Sequence, residues 1–136
     1  EVWPLAIKPG KPVGFGDIDD CPILALPGNP VAAAITFIAF GRPIVDHLAG
    51  VTESARDTLF LPADFETEKK KGLRQFLLAT AVPCSTGSRV VPVPDQGPAM
   101  LSALTSASGI AVLDEDRDSV GIGDVIEFLP LTAFLS

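Results

Sequence analysis

A chain of 136 residues, 47% of them hydrophobic, is the size of one domain or two small ones and holds enough apolar residues for a core, which excludes a disordered polypeptide. Its 10 Lys and Arg against 17 Asp and Glu leave a formal net charge of -7, which argues against non-specific binding to nucleic acid or an anionic membrane surface. An anionic ligand must therefore be met by a local site. The two cysteines, Cys21 and Cys84, lie far apart in no metal-ligand spacing, so neither a disulfide framework nor a zinc site is expected, and both read as small buried hydrophobes.

Val2 to Ile7 and Pro22 to Leu26 are short apolar runs bounded by Gly or Pro and suited to buried strands, with a loop rich in Gly, Pro and Asp between them. Pro27-Gly28-Asn29-Pro30 then leads into a helical stripe of Val31, Ile35, Ile38, Val45 and Leu48, interrupted at Gly41-Arg42-Pro43. Asn29 suits the N-cap, Pro30 the first helical position and Gly50 the residue just past the helix end. The run Val31 to Gly41 is too short to span a bilayer, and no membrane segment is expected. Strand, tight loop and helix form the unit of open α/β sheets, so residues 1–50 are expected to be the tail of a larger α/β domain with its earlier strands upstream. Glu1 to Ile7, with neither an initiator Met nor a signal-peptide pattern, agrees with that expectation.

Beyond Gly50 the texture changes to strand-like runs separated by turn residues: Thr58–Leu61, Arg74–Val82, Arg89–Val93, Gly109–Leu113 and Asp124–Leu129. They predict an all-β barrel or sandwich over residues 51–136, with a short helix at Met100–Ala107 and a glycine turn at residues 120–124 before the last strand.

Leu26-Pro27-Gly28-Asn29-Pro30 is the strongest local signal for chemistry, because a rigid turn into a helix start gathers unpaired backbone N–H groups that attract anions. Lys8 and Lys11 flank Pro9-Gly10 just after the first strand. If the two strands are parallel neighbours, both loops open at one carboxyl edge, where α/β ligands bind. On spacing alone, a capped helix with two solvated lysines accounts for the same residues. The acidic runs Asp114-Glu115-Asp116-Arg117-Asp118 and Asp17-Asp19-Asp20 read as solvated turns, Lys69-Lys70-Lys71 as an exposed face, and His47 as a favourable charge at a helix C-terminus.

Lys8-Pro9-Gly10-Lys11-Pro12, followed by Leu26-Pro27-Gly28-Asn29-Pro30-Val31 and a helix with Thr36-Phe37 and Arg42-Pro43, resembles the molybdopterin molybdenumtransferase family, which includes the insertase half of gephyrin. Gly72-Leu73-Arg74-Gln75-Phe76 is similar to that family's Gly-Arg-x-Glu-Phe segment with one residue inserted, and Gln96-Gly97 through Met100-Leu101-Ser102 to its Gln-Gly-Ser-x-Met-Leu-Ser stretch. The resemblance implies the end of a MogA-like three-layer α/β domain followed by a small C-terminal β-barrel. It further implies a cytoplasmic, dimeric, Mg2+-dependent enzyme that hydrolyses adenylylated molybdopterin, releases AMP and places molybdate on the dithiolene. Contact with the molybdopterin adenylyltransferase is a further expectation. Carried over by position, Lys8, Lys11 and Arg74 act on the anions, and Pro9, Gly10, Pro27, Gly28, Asn29, Pro30 and Ser102 bind the pterin and molybdate.

The Mg2+ ligands are expected upstream of Glu1, so this chain is expected to be an incomplete enzyme. Ala32 and Pro98 stand where the family often has serine, which removes two hydroxyl donors; either neighbours such as Ser102 or Thr36 substitute, or anion affinity is lower. A molybdopterin-binding or scaffolding module without turnover is the alternative that these two positions favour.

Overall fold

The structure, a computed structural model, describes residues 2–3, 7–8, 13–28, 30–51, 58–94 and 101–131; residues 2–3, 7–8, 13, 30 and 101–103 are described by backbone alone. Its strands are β1 (Val2–Trp3), β2 (Ile7–Lys8), β3 (Val13–Ile18), β4 (Cys21–Ala25), β5 (Leu59–Pro62), β6 (Thr67–Glu68), β7 (Arg74–Cys84), β8 (Gly87–Pro92), β9 (Gly109–Leu113), β10 (Ser119–Val120) and β11 (Val125–Pro130). Two helical segments, α1 (Pro30–Thr36) and α2 (Arg42–Leu48), are joined by a π-helical turn at Phe37–Gly41, and α3 (Leu101–Ser106) lies between β8 and β9.

The dominant feature is a nearly closed barrel. β8, β7, β9, β11 and β5 pair antiparallel in that order, and Ala63 bridges Val90 in parallel to bring β5 back to β8. Five alternating strands leave the closing pair necessarily parallel, and Asp64 N–H donates to the Val90 carbonyl at 2.9 Å across that seam. Period-2 alternation sorts the side chains. Ala79, Ala111, Leu113, Ile126 and Phe128 fill the barrel with Ala63 and Val90, while Phe76, Leu78, Ile110, Val112 and Leu129 point outward into a second cluster. All of β9 is buried because both of its faces are covered.

The outer cluster is covered by Val31 and Ile35 of α1, with Ile38, Ala39 and Phe40 packed against it. Complete burial of each such aliphatic side chain stabilises the fold by roughly 1.5–3 kcal/mol. Pro43 has no N–H and its ring crowds the carbonyl four residues back; the preceding turn answers by widening, with Arg42 N–H bonding to Phe37 O. The helix therefore continues through the expected interruption. It ends in a Schellman motif: Gly50 has φ +81, its N–H bonds to His47 O at 3.1 Å, and Val51 N–H bonds to Asp46 O at 2.9 Å. By length and composition Val31–Leu48 is long and apolar enough to cross a bilayer, more than the short run expected, yet Val31, Ala32, Ile35 and Thr36 are buried in the protein itself.

Four expectations are corrected. Residues 1–50 do not form a parallel α/β unit among the described residues: β1, β3 and β4 make an antiparallel sheet in that order, and the supposed Gly/Asp loop is the strand β3. The reason is local, since Asp19 and Asp20 both have positive φ, and such a two-residue turn makes a tight hairpin of the flanking segments. β1 and β4 run in the same direction but are separated by β3, while β2 leaves that sheet and pairs with β7. Cys21 and Cys84 are both exposed, because they sit next to the tips of the β3–β4 and β7–β8 hairpins. Lys69 is buried, with only 7% of its surface accessible, and does not join Lys70 and Lys71 on an exposed face.

Candidate functional site

β2 is in parallel register with the start of β7, Ile7 opposite Arg74 and Lys8 opposite Gln75. The backbone of the first lysine and that of the arginine are thus neighbours, one residue out of step. No sequence-local rule predicts the pairing, since the strands lie far apart along the chain and belong to segments that read as separate. A second juxtaposition is that of α1 with α3, which brings the helix opening at Pro30 beside the one containing Ser102. Pro27 is half-buried, and Gly28 is exposed with open space around it. Pro9, Gly10, Lys11, Asn29 and Pro98 lie outside the described residues.

Arg74 is half-exposed. Its Nε donates to Glu115 Oε2 at 3.0 Å, and among the described residues Nη1 and Nη2 are not engaged. Glu115 is part of the acidic turn after β9, and that turn is fastened to the loop before β7. Gly72 N–H bonds to Glu115 O at 2.7 Å, Lys69 N–H to Asp118 O at 2.8 Å, and Lys69 Nζ to Arg117 O at 2.9 Å. Gly72 adopts φ +89, a conformation that side chains disfavour, and this lets the loop meet the turn. The Glu115 carboxyl is held below its ordinary range, first by its own backbone N–H and next by the Arg74 guanidinium. Glu115 reads in the sequence only as part of a solvated acidic turn; it is 41 residues from Arg74 and reaches it because β7 pairs with β9.

Behind Arg74 lies a cavity of about 360 Å³ between the helix and the outer face of the barrel, lined by Phe40, Thr58, Phe76, Val112 and Glu127. An arginine whose Nη groups are not engaged among the described residues, at the rim of such a space, can present charge-assisted hydrogen bonds to an oxyanion. Of the other carboxylates nearby, Asp114 of this turn and Asp124 of the turn before β11 both pair with Arg117, at 3.7 and 3.6 Å. No group of three or more His, Cys, Asp or Glu among the described residues is placed to hold a metal ion, so these side chains do not fit Mg2+. Ala32 is buried, so a hydroxyl at that position would face packed side chains rather than solvent. Thr36, one of the two neighbours named as substitutes, is fully buried and does not open onto solvent either.

Residues 61–131 match the model of the MoeA C-terminal region (domain IV). The chain is 30% identical over 135 residues to the molybdopterin molybdenumtransferase of Haemophilus influenzae, covering 98% of this chain and 33% of that protein. It is 30% identical over 128 residues to molybdopterin molybdenumtransferase 2 of Mycobacterium tuberculosis, covering 94% and 31%. The chain thus spans about a third of the length of these curated relatives. Its fold is similar to the crystal structure of a molybdopterin biosynthesis moeA protein from Pyrococcus horikoshii, with a TM-score of 0.72, 20% identity, and coverage of 92% of this chain and 31% of that one.

Proposed function

The chain belongs to the MoeA family, through its C-terminal region, and on that premise we propose that it is the C-terminal part of a molybdopterin molybdenumtransferase. The reaction is insertion of molybdate into adenylylated molybdopterin, in which the adenylate is hydrolysed, AMP leaves, and molybdenum becomes bound to the dithiolene sulfurs. Both substrates are anions, and an acidic chain needs a local positive site for them. The single observation that carries this reading is the placement of the half-exposed Arg74 on the lining of the cavity between the helix and the outer face of the barrel.

In this reading Arg74 donates from Nη1 and Nη2 to molybdate oxygens. Lys8 and Lys11 neutralise charge on the oxyanion and the adenylate. Pro9-Gly10 and Pro27-Gly28-Asn29-Pro30 supply a rigid rim with backbone amides, and Ser102 adds a hydroxyl from α3. A charge-assisted bond of this kind contributes about 1.5–3 kcal/mol. Residues 51–136 form the barrel domain, against which β2 and α1 of the preceding segment pack. Mg2+ takes no ligand from the described residues and is bound by the rest of a cytoplasmic dimer that receives its substrate from the molybdopterin adenylyltransferase.

The test is molybdate-dependent cofactor formation and AMP release by the intact protein. Arg74→Ala and Lys8→Ala should each lower turnover at limiting molybdate by ten-fold or more, on the order of one lost charge-assisted bond. Unchanged turnover in both variants would remove these residues from the mechanism. The second reading, a pterin-binding module without turnover, draws its support from Ala32 and Pro98, and AMP release disposes of it.

A further inference from the structure

We propose that Glu115 is a positioning residue for Arg74, holding the guanidinium by Nε so that its two Nη groups are presented together to the oxyanion. The inference rests on the reading of Arg74 as an anion contact. A guanidinium has five N–H donors in a rigid plane, and a single carboxylate contact at Nε fixes the orientation of that plane while leaving four donors for a ligand. The 3.0 Å contact from Nε to Glu115 Oε2 has this form.

Both ends of the pair are themselves held. Arg74 opens β7 opposite Ile7 of β2, one residue before the pairing with β9 begins at Gln75, and Glu115 stands on a turn whose carbonyl accepts from Gly72 N–H. The buried Lys69 adds its ammonium to the Lys70 and Arg117 carbonyls at 2.8 and 2.9 Å, locking the loop to the turn. Such a frame fixes first the carboxylate and then the guanidinium, as a preorganised site requires.

A carboxylate beside an anion site also repels the anion. The two side chains are 41% and 52% exposed, so water screens that repulsion, whereas an untethered arginine must lose its rotamer freedom each time it binds. Orientation is therefore expected to outweigh repulsion.

The experiment is calorimetric titration of the intact protein with molybdate alone. Glu115→Ala should weaken binding several-fold, Glu115→Gln, which keeps an acceptor oxygen for Nε, should recover most of the affinity, and the melting temperature should stay unchanged. In an Arg74→Ala background, Glu115→Ala should cause no further loss. Equal or tighter binding by Glu115→Ala would overturn the proposal, as would a loss that persists without Arg74. If Glu115→Ala lowers the melting temperature, Glu115→Asp, which keeps the charge and withdraws the acceptor by one methylene, replaces it under the same criteria. Arg74→Ala with unaltered affinity would overturn the anion-site reading itself and this inference with it, a result distinct from failure at Glu115 alone.

Discussion

Ala63 and Val90 are parallel bridge partners at the seam of the barrel, and neither exposes any surface. The interior they enter is graded in size, with Ala63, Ala79 and Ala111 sharing the cluster with Phe128, so volume at the seam is fixed by small residues beside a large one. Val90→Ala is expected to cost about 1–3 kcal/mol by leaving a void. Ala63→Leu is expected to cost a similar ~1–3 kcal/mol by overpacking. Urea denaturation followed by far-UV circular dichroism measures both; a wild-type midpoint for Ala63→Leu would mean that the seam is looser than the bridge indicates.

Lys69 is a cross-brace and not a solvated charge. Its Nζ donates to the Lys70 and Arg117 carbonyls, so Lys69→Met keeps the aliphatic stem and leaves two acceptors without their donor, at about 1–3 kcal/mol. Amine acetylation followed by mass spectrometry offers an independent check. Lys70 and Lys71 are exposed and should label first, with Lys69 protected until the fold opens. Equal labelling of all three would refute the brace.

How far the sequence showed this architecture depends on the range of the interaction. The strand Gly109–Leu113 was legible to the residue, and β5, β7, β8, β11 and α3 to within about two residues, because apolar runs bounded by turn residues are local signals. Gly50 was legible as a helix terminator for the same reason. Hairpin β3–β4 was not: Gly14 and Gly16 dilute the strand pattern, and the two-aspartate turn looks like any acidic loop. Closure at Ala63–Val90, the β2–β7 register and the Arg74–Glu115 pair are all non-local, and no spacing along the chain encodes them. Of the candidate site, the residue types were legible along the chain, whereas the contact between Arg74 and Glu115 was not.

Cys84 is exposed at the β7–β8 hairpin tip, and its thiol pKa is lowered chiefly by the Thr86 hydroxyl, then by the Thr86 backbone, with Arg89 adding a smaller share. Because the thiolate is the nucleophile, alkylation of Cys84 by iodoacetamide should reach half its maximal rate below the ordinary thiol value of about 8.5. Thr86→Val should move that midpoint upward. Peptide mapping across a pH series reads it, and an unshifted midpoint in Thr86→Val would contradict the assigned cause.

Glu115 titrates with a lowered pKa in the folded chain, so its contribution to stability is present above the ordinary carboxylate value of about 4.3 and is lost as pH falls through the lower folded value. Solvent exposure makes that contribution small, and the titration itself is the better observable. Carbon-13 shifts of the Glu115 carboxyl should show a midpoint below ~4.3, and Arg74→Ala should raise it only partway, since the residue's own backbone N–H is the larger cause. Full return to the ordinary value on losing Arg74 would reverse that ranking.

Thr36 lies fully buried where α1 meets the π-helical turn, and among the described residues its Oγ1 has no hydrogen-bond partner. A buried hydroxyl without a partner loses its hydration and regains nothing, so Thr36→Val, close in shape, should leave stability unchanged or raise it by up to about 1–2 kcal/mol. The same substitution separates packing from chemistry. If the hydroxyl stands in for the serine that Ala32 replaces, Thr36→Val must weaken molybdate binding in calorimetry; if it is only packed, affinity stays put while the melting temperature holds or rises. Burial against the barrel favours the second outcome.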